Sequence, residues 1–452
     1  MTVFYTARKT LKNYANGGNV LIAATVLALI VVNIPPLTGW YNSLWTHEIA
    51  LQIGGFNLFS HHGHPMSVMA FINDALMALM FFTIGLEIKR EVLVGELSSF
   101  RKALLPIMGA VGGMALPVGI YFLMADGTPY IGGAAIPMAT DIAFTLGVLA
   151  MLGNRVPIGL KIFLTTLAVV DDIGGILVIA IFYSSSIDFT LLLWAAGCIV
   201  ALLIGAWAGM QSKLYYIFFG TFVWFFFLNA GIHPTIAGVI VAFTIPAKPV
   251  FAPRKYIKII WENIMKFSHD DVEQINTRTI LDKDQMNWLK EIESASDKVI
   301  SPLQDMEDNL HPLVNYIIVP LFAFANAGIF FGDMNISQLF TGIAPTVIIS
   351  LVAGKFLGIL LFSWLTVLLG WAPMPAGCNW PRMAGGAMLG GIGFTVSLFI
   401  ANLSFGTGDP TLSLLLNDAK LGILVGSLLA GLLGYLILTL TLPKAERGAR
   451  GA

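Results

Sequence analysis

The chain has 452 residues, 57% hydrophobic and 11% charged, with a formal net charge of −1. A soluble domain carries about 25% charged residues, so this composition excludes an ordinary soluble enzyme and describes an all-α polytopic membrane protein. The near balance of charge implies no nucleic acid or other polyionic partner. The two cysteines, Cys198 in an apolar run and Cys378 in a short polar connection, offer neither a disulfide framework nor a thiolate metal site, and no cofactor is implied.

In chain order, a basic start at Arg8, Lys9 and Lys12 precedes an apolar run with no convincing small-residue cleavage site, which reads as an uncleaved first span. A criterion of ~20 apolar residues then predicts about twelve transmembrane helices. They fall near 18–36, 66–88, 103–125, 131–152, 158–183, 189–209, 213–230, 232–247, 312–332, 341–370, 383–404 and 414–442. Apart from Lys355 and Lys420, which fall within spans, Lys and Arg lie in alternate connections and at the two ends, with Lys444, Arg447 and Arg450 in the tail. That bias predicts both termini in the cytoplasm. The stretch Glu48–Phe59, around Gly54-Gly55, alternates polar and apolar residues and reads as a small external β-hairpin, an irregular loop being the alternative. The organisation is then 1–246 for spans one to eight, a polar cytoplasmic link at 247–310, spans nine to twelve over 311–443, and a tail at 444–452. Short amphipathic helices or a flexible segment would suit the link.

Charges inside the spans are few: Asp74, Asp141, Asp171, Asp172, Lys355 and Lys420. Each costs roughly 2.5–3.5 kcal/mol at bilayer depth, so such residues face a bundle interior or a wet cavity and mark ion or proton paths. Asp171 and Asp172 are neighbours, so they point about 100° apart on a helix. One can face a cavity while the other meets a cation, for which Lys355 is the obvious candidate; a purely structural ion pair is the competing explanation. Spans four and eleven are interrupted. Gly132, Gly133 and Pro137 precede Thr140-Asp141, which reads as the N-cap of a second half-helix; five glycines between Gly385 and Gly393 precede Thr395. Two broken spans running in opposite directions fit an inverted repeat with its site at the breaks. The histidines of "HHGHP" (His61, His62, His64) suit metal, but a bland loop explains them as well.

Six segments carry a resemblance: "INDALMALMFFTIGLEIKRE", "IPMATDIAFTLGVLAMLGNRVP", "LAVVDDIGGILVIAIFY", "LHPLVNYIIVPLFAFANAGI", "GKFLGI" and "GGIGFTVSLFIANLSF". Together they resemble the NhaA family of bacterial sodium/proton antiporters, in family order over almost the whole chain. The resemblance implies an ion site at Asp171 and Asp172, with Asp172 the chief sodium ligand and Lys355 the partner of Asp171. It implies that Thr140 and Asp141 lie where two discontinuous helices cross. It assigns Glu87, Arg90, Glu91, Glu307 and His311 to a cytoplasmic pH-responsive cluster, although ordinary positive-inside anchoring also explains Arg90 and its acidic neighbours. The link is longer than the family pattern, and Asp308 stands where relatives can have histidine. A homodimer through the external hairpin and a place in the bacterial inner membrane complete what the resemblance implies.

The expected chemistry is competition, not enzymatic catalysis. A carboxylate buried in the bundle must be neutralised by a proton or a hard cation, Na+ or Li+, and the same oxygens cannot serve both. Uneven proton and sodium counts would make exchange electrogenic. A sodium-coupled symporter of organic anions on a similar fold is the nearest alternative, against which stands the absence of an arginine clamp in the spans. An intramembrane aspartyl protease is disfavoured because the only GxGD-like run, Gly406–Asp409, lies in a loop and precedes a proline.

Overall fold

The computed structural model describes residues 17–54, 56–61, 63–183, 187–249, 253–267, 281–332, 340–406 and 409–443. The basic residues of both ends, His62 and the tail at 444–452 lie outside them. Among the described residues, eight helices are long and apolar enough to cross a membrane, or up to ten if each of two bent pairs is one span. Lipid-facing exposure agrees with this: Trp207 is 90% and Leu123 84% exposed, which an aqueous surface would not favour.

Helix α1 (Gly17–Asn33) turns by 115° into α2 (Pro35–Thr46). The expected first span, near 18–36, covers α1 and only the first two residues of α2. Proline in the first turn of a helix loses nothing, since those N–H groups have no intrahelical partner. Short strands follow: β1 (Glu48–Ile49), β2 (Gln52–Ile53), β3 (Phe56–Asn57), β4 (Ser60–His61) and β5 (His64–Ser67). The hairpin around Gly54 is present as β2–β3, with Gln52 opposite Asn57 and Gly54 at φ +63°. A separate three-stranded antiparallel sheet, β1-β5-β4, pairs His61 with His64.

Helix α3 (Val68–Leu93) contains a π-helical turn at Phe71–Leu76, and α4 (Phe100–Ala125) follows. The fourth apolar segment, Ile131–Arg155, is irregular: two 3₁₀ turns lead through extended Ala139–Asp141 into α5 (Ile142–Leu152). Then come α6 (Ile158–Phe182), α7 (Phe189–Trp207), α8 (Lys213–Ala230) and the short α9 (Pro234–Thr244). Within the link, α10 (Pro253–Ile264) packs on α11 (Lys283–Val299), which Asp282 and Gln285 start with a capping box. Helix α12 begins as Pro302–Leu313, passes through a π-helical turn at Val314–Ile318 and ends as Val319–Asn326. Helix α13 (Ile343–Leu368), α14 (Trp380–Leu389), α15 (Phe394–Phe405) and α16 (Pro410–Thr441) complete the chain. Asp409, the acid of the protease-like run, caps α16 by accepting from Thr411 N–H at 2.9 Å.

Buried apolar side chains form two clusters. The larger surrounds α4, α6, α13, α14 and α15; the smaller joins one face of α3 to α7, α8 and α9, with Leu303 and Met306 from α12. At the centre of the α4–α13 contact, a Cβ on Gly112 would strike the Gly358 carbonyl oxygen, and one on Gly358 would strike that of Gly112. Two backbones thus touch directly, as small residues allow in membrane bundles. Lys355 lies one turn from this seam and is fully buried.

Candidate functional site

The site lies where the two interrupted segments meet. Breaking a helix at membrane depth frees backbone groups that must find partners, and here each break supplies them to the other. Asp141 N–H donates to Ile392 C=O at 2.6 Å. Ser397 Oγ donates to Ile136 C=O at 2.7 Å. Thr145 Oγ1 reaches Leu389 C=O at 3.4 Å.

Asp141 caps two helices at once. Its Oδ1 accepts from Phe144 N–H of α5 at 2.9 Å, while Oδ2 accepts from Thr395 N–H at 3.1 Å and Thr395 Oγ1 at 2.7 Å in the first turn of α15. Both helix N-termini present partial positive charge to it. Thr395 was passed over as a site residue in the sequence. Its place just after the glycine break was the available signal, because the first turn of a restarted helix needs an acceptor.

Asp171, on α6, accepts from the Lys355 ammonium through Oδ2 in a fully buried ion pair. The same oxygen lies 2.6 Å from Thr140 Oγ1. That hydroxyl also accepts from Lys355 Nζ at 2.8 Å and lies 2.9 Å from Gly390 C=O, so its single proton serves either the carboxylate or the carbonyl. The structure therefore brings Thr140, Asp171 and Lys355 into one contact.

Asp172 has different surroundings. It is 4% exposed and its Oδ1 is buried without a hydrogen-bond partner. It lines a cavity of about 170 Å³ shared with Thr140, Asp141, Thr395, Glu87 and His311. The wall thus carries an uncompensated carboxylate with a hydroxyl and a second carboxylate nearby, a donor set that suits a hard cation or a proton.

The five residues of the expected pH cluster also converge. Glu87 and His311 line that cavity. One helical turn on, Arg90 pairs with Glu307 and with Glu91, the latter at 3.2 Å. Glu91 also accepts from Glu96 N–H at 3.1 Å, and His311 lies 2.9 Å from Asn315 Nδ2. Burial pushes the Glu307 carboxyl up to about 7 against the pull of Arg90, with Glu87, Asp308 and Glu91 adding to the rise. Lys89 donates to the Phe243 and Ile245 carbonyls at 2.7 and 2.5 Å and so closes the end of α9. Of the remaining intramembrane charges, Asp74 lies 3.8 Å from His233, and Lys420 is not among the cavity-lining residues.

The model of the family described as Na+/H+ antiporter 1 matches residues 8–438. A Na(+)/H(+) antiporter NhaA of Phocaeicola vulgatus is 54% identical over 95% of both chains. Antiporters of the same name from Bacteroides fragilis and Bacteroides thetaiotaomicron are 52% and 49% identical, over 97% and 98% of this chain and 99% and 100% of theirs. The paired acids, both breaks and the lysine all fall inside the matched region, and the chain belongs to the Na+/H+ antiporter 1 family.

Proposed function

We propose that this protein is a secondary transporter, not an enzyme, that moves cytoplasmic Na+ (or Li+) outward in exchange for external H+ by alternating access. The observation that carries the reading is Asp172: an orphaned carboxylate oxygen on the wall of a cavity built by two broken spans. Such a group is stable only when a proton or a cation neutralises it, so the two ions displace one another. Thr140 and freed backbone carbonyls supply further oxygens to the cation. Asp171 and Lys355 hold a compensated charge beside it, and Asp141 satisfies the facing N-termini. The small cavity, about 170 Å³, suits an ion with a little water better than an organic anion.

In this reading the chain forms about twelve spans when the short α9, the part-polar α12 and the bent segments are counted. The two breaks belong to inverted halves and cross at the site. The cavity end at Glu87 and His311 faces the cytoplasm, both termini lie on that side, and the membrane is the bacterial inner membrane. Arg90, Glu91, Glu307, Glu87 and His311 form a cluster through which cytoplasmic pH regulates access. Exchange is electrogenic, and a homodimer forms through the sheet at β2–β3.

The test is sodium-induced proton movement in everted vesicles or proteoliposomes. Wild type should dissipate a pH gradient on sodium addition, and Asp172→Asn should not. Exchange that survives Asp172→Asn overturns the proposal.

A further inference from the structure

Alternating access, as proposed above, needs a closure on each side of the site. Three layers stack away from the site along α15: Thr395 at the site, Phe399 one turn on, and Asn402 beyond it. At 1.5 Å per residue, Asn402 is about 10 Å past Thr395. Phe399 is fully buried, with its ring centroid 5.6 Å from Phe81, 6.3 Å from Phe322 and 5.3 Å from His233. Beyond this aromatic layer, Asn402 Nδ2 donates to Asn326 Oδ1 at 3.0 Å, and Asn326 Nδ2 donates to Asn73 Oδ1 at 3.0 Å. Three amides on three elements, α15, α12 and α3, thereby form one chain.

The orientation of this chain is determined. Asn402 Nδ2 also donates to Leu398 C=O at 2.8 Å, and Asn326 Nδ2 to Phe322 C=O at 3.0 Å. Turning either amide over would place oxygen against oxygen. Asn326 is completely buried, a costly place for an amide unless both its hydrogens are used. Asn73 sits in the π-helical turn of α3, and the π-helical turn of α12 precedes Asn326; such turns recur at functional sites. Apolar residues would close a bundle more cheaply. A polar chain closes it reversibly, because water can take over each bond when the elements part.

We propose that Asn73, Asn326 and Asn402, with Phe399 beneath them, are positioning residues of the transport cycle: the external gate, bonded while the site faces the cytoplasm and separated when it faces out. The proposal rests on the exchange reading above, and the two fail separately, since sodium binding reports the site and sidedness reports the gate.

The experiment uses Asn326→Cys with Asn402→Cys in a Cys198→Ser, Cys378→Ser background, bridged by a short reducible bis-methanethiosulfonate. Bridging should stop exchange, a reductant should restore it, and sodium binding by calorimetry should persist in the bridged protein. A second variant, Asn402→Ala, removes one bond of the closed state. It should raise half-saturating sodium at the cytoplasmic face relative to the external face, a ratio change of about fivefold between everted and right-side-out vesicles. A merely structural amide would lower stability without changing that ratio. Exchange at full rate through the bridged pair, or an unchanged ratio in Asn402→Ala, overturns the gate.

Discussion

The two adjacent acids each bury an Oδ1 without a hydrogen-bond partner, and they differ in what compensates the charge. Asp171 is answered through Oδ2 by Lys355 and Thr140, whereas Asp172 has no cation beside it and lines the cavity. This division was legible in outline, because two neighbours on a helix cannot face the same way and Lys355 was the obvious candidate cation for one of them. The dual capping by Asp141 was half legible. Its role for α5 follows from Thr140-Asp141 after a proline; its bonds to Thr395 depend on a contact across 254 residues, which no local pattern encodes. Lys355 neutralises a carboxylate directly. Removing one partner of a buried pair typically costs about 3–5 kcal/mol. Lys355→Ala should therefore lower the melting temperature in detergent as well as transport, and unchanged melting would contradict the pairing.

At the level of elements, apolar runs were legible wherever they were long and straight: α4, α6, α7, α8, α13 and α16 fall close to their expected ranges. The misses have one cause, that hydropathy reports burial and not direction. Helix α2 follows a sharp bend at two prolines, and α12 starts at Pro302 because its first turns are polar yet packed through Leu303 and Met306. The small sheet reaches Ser67, beyond the expected hairpin, because β5 pairs with both β1 and β4 and no spacing rule announces that partner choice. Helix packing was legible only as an abundance of glycine. Which glycines matter depends on the facing helix, and Gly112 with Gly358 is the tightest contact of a glycine with another helix's backbone. Gly358→Ala would drive a methyl group into a carbonyl oxygen with no flexible side chain to yield. It should destabilise by at least the ~1–3 kcal/mol of an overpacked core, whereas alanine at Gly119, where nothing lies within 4 Å, should be tolerated. Parallel thermal melts compare them.

Across the whole molecule, the cluster at Arg90 and Glu307 ties α3 to α12, and Lys213 with Asp305, 2.5 Å apart, ties α8 to the same helix. Glu307 holds its proton to about 7, above the ordinary 4.5 of a glutamate. The folded state therefore binds more protons than the unfolded chain between these values. Stability from this group is full below 4.5 and falls as pH rises through about 7. The end of the bundle that this cluster joins should loosen in that window. Glu307→Gln removes the titration, so its melting temperature should fall less than that of wild type between pH 4.5 and about 7. Equal slopes would remove Glu307 from the pH response.

The glycine seam has a consequence for turnover. Helix α4 touches α13 backbone to backbone and packs on α6, so the acid at 171 and the ammonium at 355 are carried by helices held to one another through α4. If those three helices travel as a rigid block, the charge pair never separates and never meets solvent during a cycle. Its dehydration is then incurred once, when the chain folds, and each passage of an ion has to strip water only from the ion itself and from the lone acid next door.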